Sequence, residues 1–109
     1  MIALLLAAVT PAWIVGTWLE ERLGRDACAS DEVIWYTGDG RTGDFWERGL
    51  WSLRGDRLTE TITTTTDAGD PPRRKSRPAV YRYRVERLGP DRMRTWYKRY
   101  PPVVLMRCR

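Results

Sequence analysis

The chain has 109 residues, is 42% hydrophobic and 30% charged, and carries a formal net charge of +5. That is the size of one domain with one modest core, and the composition is globular rather than disordered. Histidine is absent, which excludes His-based acid–base catalysis, Ser-His and Cys-His nucleophiles and most zinc sites.

Residues 1–12, MIALLLAAVTPA, form an apolar run that ends in small residues around Pro11. This resembles the hydrophobic and cleavage regions of a secretory signal, although the basic residues that usually precede such a run are missing. The competing reading is a buried first strand or a short membrane segment. The run is too short to span a bilayer, and Trp13 onward reads as a strand. No Cys follows it, so no lipoprotein anchor is expected. The sequence therefore predicts a signal peptide over 1–12, a single domain over 13–109, a periplasmic or secreted location and no membrane-spanning segment. Two cysteines, Cys28 and Cys108, suit that compartment and are expected to pair. Neither has the setting of a catalytic thiol, although Cys108 stands between two arginines.

After the first strand, residues 18–25 (WLEERLGR) are compatible with one or two helical turns. Elsewhere the signals are strand and turn. Residues 32–37 form a short run of β-formers, and Asp39-Gly40 is a hairpin turn signal. A strand is expected over 45–53, with Trp51 and Leu53 on one face. Gly55-Asp56 turns the chain into 58–66, where Leu58, Ile62 and Thr64 share a face. Residues 67–78 are rich in Gly, Pro and Arg and are expected to be irregular. The cleanest alternation follows: Tyr81, Tyr83 and Val85 oppose Arg82, Arg84 and Glu86. Gly89-Pro90-Asp91 turns into Met93, Thr95 and Tyr97, which oppose Arg92, Arg94 and Trp96. Pro101-Pro102 precedes a last strand over 103–108. Seven or eight strands joined by tight turns predict an all-β, up-and-down antiparallel barrel closed by one disulfide.

Gly16-x-Trp18 on the first strand, followed by this meander, resembles the lipocalin or calycin barrels. The resemblance implies that Trp18 packs at the barrel base beneath a late-strand arginine, for which Arg107 is the candidate. The chain is shorter than a typical lipocalin and lacks the second family motif, Thr-Asp-Tyr. Small exported bacterial lipocalin-like proteins of uncharacterised function are more similar still. They share an early Cys, a GxWxLxGDxL segment (here Gly49, Trp51, Leu53, Gly55, Asp56 and Leu58) and a terminal Arg-Cys.

Three features could carry function. Charge is split along the chain: residues 13–70 hold six basic and twelve acidic residues, whereas 71–109 hold thirteen and two. Arg73, Arg74, Lys75 and Arg77, expected in a loop, and the outward Arg82, Arg84, Arg92 and Arg94 make a candidate surface for an anionic partner, either an anionic surface or an acidic protein. The bland reading pairs them with acids on neighbouring strands. Nucleic acid is the least expected partner of an exported chain. Second, six Trp and five Tyr either fill the barrel or line a pocket for a small apolar ligand; Trp51, Tyr81 and Tyr83, with Glu60, are the candidates. Third, Glu60 shares strand parity with Leu58 and Ile62, so an inward face buries a carboxylate that needs a partner, with an arginine expected, unless a local bulge flips the parity. With no carboxylate pair at recognisable spacing and no phosphate loop, the sequence predicts no catalysis, no metal and no cofactor. The expected function is an exported barrel that binds a small apolar or amphipathic molecule. The alternative is an envelope interaction or inhibitor protein acting through the basic late strands.

The expected signal gives the first test. Mass spectrometry of periplasm or medium is expected to find a product that begins near Trp13. Intact Met1 on cytoplasmic protein would contradict it.

Overall fold

Alternating aromatic or β-branched and charged residues build eight strands that close, each on the next, into an antiparallel barrel in the order β1 to β8. In this computed structural model, residues 11–67 and 70–109 are described. Most of the expected signal, residues 1–10, lies outside them. The strands are β1 (Gly16–Glu20), β2 (Ile34–Tyr36), β3 (Arg41–Gly43), β4 (Glu47–Arg54), β5 (Arg57–Thr65), β6 (Arg73–Gly89), β7 (Arg92–Tyr97) and β8 (Val103–Arg107). Closure comes from pairing of β1 with β8, with Trp18 opposite Arg107 and Glu20 opposite Leu105. Among the described residues, no helix is long and apolar enough to cross a membrane.

The inner face follows the period-two pattern of a pleated strand. Trp18, Tyr36, Trp51, Leu53, Leu58, Val85, Met93 and Leu105 meet in one core, completed by Ile14 from a short 3₁₀ helix, Ala12–Ile14. Trp13 thus lies in that helix and not in a strand, and the first strand begins at Gly16. Residues 18–25, expected as helical turns, are divided: β1 runs to Glu20, and a 3₁₀ helix covers Glu21–Leu23. A second, Arg25–Ala29, carries Cys28 and packs against β1. Cys28 is bonded to Cys108, 80 residues away in sequence. Cys108 also extends the closing ladder, its N–H donating to Thr17 O at 2.8 Å. A loop of that length corresponds to about 4–5 kcal/mol of chain-entropy stabilisation.

Two departures from the expected strands matter. β3 is an extra, three-residue strand between the Asp39-Gly40 turn and β4, too short to show a period. The basic run 73–77 is the start of β6 and not a loop. Arg73 and Arg74 pair with Thr65 and Thr64, and the ladder shifts register between Ile62 and Thr64. That irregularity accommodates Pro78, which cannot donate to a regular ladder. A second bulge falls at Gly49, where a Cβ would stand 1.9 Å from Thr61 O. Only glycine permits so close an approach.

The closed end is organised by Arg107. Its guanidinium carbon lies 4.5 Å from the centre of the Trp18 ring. The same group donates to Val15 O (2.6 Å), Trp13 O and Pro90 O (3.1 Å), and to the Asp91 carboxylate (3.1 Å). Trp18 is wholly buried and its indole N–H donates to Ile14 O at 2.9 Å. Gly16, at φ +139°, makes room: a Cβ there would stand 2.5 Å from an Arg107 nitrogen. Gly-x-Trp is therefore one half of a contact completed by Arg107.

Lysine at 107 retains the charge but not the planar fork that reaches several carbonyls. Arg107→Lys is expected to cost about 2–3 kcal/mol in denaturant unfolding, and Trp18→Ala about 3–5 kcal/mol. A Lys variant of unchanged stability would reduce the contact to charge over a ring.

Candidate functional site

Above this plug the described residues leave the barrel unfilled. A cavity of about 350 Å³ lies beyond Leu58 and Leu105, and none of Trp18, Met93, Val85 or Arg107 lines it. Its apolar lining includes Ile34, Ile62 and Val103. Tyr81 and Tyr83 of β6, Tyr97 of β7 and Tyr100 of the β7–β8 loop form an aromatic wall, with Tyr36 of β2 also in the lining. Ring centres along the wall are 6.1 Å apart for Tyr81–Tyr97, 5.2 Å for Tyr83–Tyr97 and 6.0 Å for Tyr97–Tyr100. Tyr100 is 66% exposed, so the cavity opens to solvent there.

Four carboxylates line the same space: Glu20, Asp44, Glu47 and Glu60. Among the described residues, no lysine or arginine does. Glu60 sits between Trp51 and Tyr81 in the β4–β5–β6 ladders, and its partner is not the expected arginine but the Tyr36 hydroxyl, from which it accepts a hydrogen bond at 2.5 Å. Burial is the main influence on its carboxyl and raises its pKa, helped by the charges of Asp44 and Glu47; the Tyr36 hydrogen bond opposes the rise. Burial and the neighbouring Glu60 also push the Tyr36 and Tyr83 hydroxyls upward. Asp44 is fixed by the β3–β4 turn, one of its carboxylate oxygens accepting the N–H groups of Trp46 and Glu47, each at 2.7 Å. Glu20 is ion-paired outward, to Arg22 at 2.8 Å. Among the described residues, no three His, Cys, Asp or Glu side chains are grouped to hold a metal ion.

The structure brings together three of the four residues expected at a cavity, Glu60, Tyr81 and Tyr83. Trp51 belongs elsewhere. It packs edge-on against Tyr36, with ring centres 5.6 Å apart, and donates its indole N–H to Thr37 O at 3.1 Å. It is thereby a wall of the core and not of the cavity. Tyr36, Asp44, Glu47, Tyr97 and Tyr100 were not anticipated. The alternation of β7 already placed Tyr97 inward with Met93 and Thr95, whereas Asp44 and Glu47 depend on the short β3 and its turn, which carry no periodic signal.

The basic residues do not make one surface. Arg92 is held by Glu21 through two hydrogen bonds, at 2.7 and 3.0 Å, and Arg94 by Glu86 at 2.8 Å. Arg82 and Arg84 stay exposed, Arg84 lying 3.9 Å over the Trp96 ring. With Arg54, Arg57 and Lys98 they line an outer groove that contains no acidic residue. Arg73, Arg74, Lys75 and Arg77 line a separate, shallower depression. Between the two stands the cross-strand row Leu50–Thr61–Val80, whose apolar members are 56% and 43% exposed.

No protein-family model, curated protein or solved structure matches the chain significantly.

Glu60 gives the site a measurable signature. Its pKa is raised above the ordinary 4.5, so the folded protein keeps this proton at pH values where the unfolded chain has lost it. The contribution is complete below the ordinary value and is lost as pH rises through the folded one. Glu60→Gln, which retains an acceptor for Tyr36, is therefore expected to gain stability relative to the parent as pH increases across that window. Parallel melting-temperature curves would contradict this.

Proposed function

We propose that this protein is an exported, lipocalin-like binding barrel that holds a small amphipathic molecule in its tyrosine-lined cavity. The supporting observation is the division of the barrel: one end sealed by the Trp18–Arg107 contact, the other hollow and open beside Tyr100. A volume of about 350 Å³ falls within the roughly 300–1,000 Å³ of small-molecule sites, and apolar walls with a few convergent polar groups are their usual lining. The lipocalin resemblance rests on Gly16, Trp18 and Arg107, which meet as that family's pattern implies. Export is supported by the apolar run over 1–12 and by the disulfide, which persists best in an oxidising compartment.

A second reading has one observation in its favour, the outer groove of Arg54, Arg57, Arg82, Arg84 and Lys98, whose described lining includes no acid. It would take an anionic surface. Pairing of Arg92 and Arg94 with Glu21 and Glu86 removes two of the four arginines Arg82, Arg84, Arg92 and Arg94 from that role.

An environment-sensitive apolar fluorophore is expected to bind at one saturable site, and Thr95→Phe, which fills the cavity from its wall, is expected to abolish that binding while circular dichroism stays unchanged. Absence of fluorophore binding, together with retention on anionic vesicles that fades over a few hundred millimolar salt, would favour the second reading.

A further inference from the structure

We propose that the occupant of the cavity is a small organic cation, an ammonium carried on an apolar group. This deepens the binding reading above and rests on it.

The chain has 19 basic and 14 acidic residues, so a carboxylate could readily find a cationic neighbour. Among the described residues, five acids outside the cavity do (Glu21, Asp39, Asp67, Glu86 and Asp91), as does Glu20 in its lining. The acids without an ion pair fall into two groups. Asp26, Asp31, Glu32, Asp56 and Asp70 are exposed, where water solvates them. Asp44, Glu47 and Glu60 are partly buried, and all three line the cavity. Removing carboxylates from water without a counter-charge is costly. In an otherwise basic protein, gathering three of them around a hollow calls for a cation that the chain does not itself supply.

The walls point the same way. Tyrosine ring faces attract cations within about 6 Å, more strongly where water is excluded, and the wall of Tyr81, Tyr83, Tyr97 and Tyr100 is continuous. It already takes one cation: the Lys98 ammonium lies 5.2 Å from the Tyr97 ring centre, although Lys98 does not line the cavity. Ile62, Leu105 and Val103 receive the apolar part of the ligand. A bare metal ion fits less well, since the described acidic side chains are not grouped closely enough to coordinate one. An anion is disfavoured by the same three carboxylates. The raised carboxyl of Glu60 marks an uncompensated site; the groups that face it are Tyr36 from β2, Asp44 from the β3–β4 turn, Glu47 from β4 and Tyr81 and Tyr83 from β6, none of them cationic.

The test uses the full chain and three probes that share one phenyl group: phenethylammonium, 2-phenylethanol and phenylacetate. Binding is read by calorimetry and by NMR shifts of the cavity tyrosine rings. Phenethylammonium is expected to bind at least about tenfold more tightly than 2-phenylethanol, with phenylacetate weakest. The paired substitution Asp44→Asn and Glu47→Gln keeps the turn's hydrogen-bond acceptor and is expected to remove that tenfold advantage of phenethylammonium over 2-phenylethanol. Equal or tighter binding of 2-phenylethanol or phenylacetate at the tyrosines would overturn the cation inference and leave the binding reading standing. If none of the probes shifts the cavity tyrosines and the apolar fluorophore does not bind either, both readings fail together.

Discussion

Closure of the barrel rests on a single guanidinium. Arg107 is opposite Trp18 on the strand pair that completes the sheet, and its nitrogens reach carbonyls of Trp13, Val15 and Pro90 as well as Asp91. It thereby ties the segment before β1, the turn before β7 and the last strand to one point. The charge is acceptable at 16% exposure of its side chain because every direction it faces offers an acceptor or a ring face. Gly16 belongs to the same arrangement, since a larger residue would occupy the space that the guanidinium takes. The bond between Cys28 and Cys108 then fastens a helical turn to the end of the strand that carries Arg107.

Sealing one end with large side chains has a consequence for the other. Ile14, Trp18, Met93 and Val85 concentrate the apolar volume near the base. Toward the opposite end the inward positions are held by Tyr81, Tyr83, Thr95, Tyr97 and Glu60, which cannot fill the space with hydrocarbon. Polar atoms at such positions need partners, and Glu60 obtains one from Tyr36. What results is a protein with two electrostatic faces. Cations dominate the outside of the late strands, while carboxylates between residues 20 and 60 turn toward the interior cavity. The split in charge along the sequence therefore becomes, in part, a split between inside and outside.

Much of this was legible before the fold. The alternation over residues 81–86 and 92–97 placed tyrosines inward and arginines outward; Tyr81, Tyr83 and Tyr97 line the cavity, while Arg82, Arg84 and Arg92 are exposed. Parity with Leu58 and Ile62 placed Glu60 inside, where it lines the cavity. Other readings misjudged what a residue would touch. Trp51 faces inward as its pattern requires, yet its depth sets it against Tyr36 in the core. Residues 73–77 carry the charge and proline content of a loop, but the threonine-rich end of β5 offers a ladder that draws them into a strand. Propensity is a weak guide where a neighbouring strand supplies the hydrogen bonds.

By itself, the sequence determined the strand meander, the pairing of two cysteines and the face to which most side chains turn. These follow from period-two patterning, turn residues and the count of thiols, all local or nearly so. Tertiary structure alone decided the depth of each inward side chain, the grouping of Asp44 and Glu47 with Glu60, and the pairing of Arg92 with Glu21 across 71 residues of sequence. Those outcomes depend on strand stagger and on the short β3 turn. Closing a barrel sets the register of every strand against all the others, a condition that no single segment of the chain encodes.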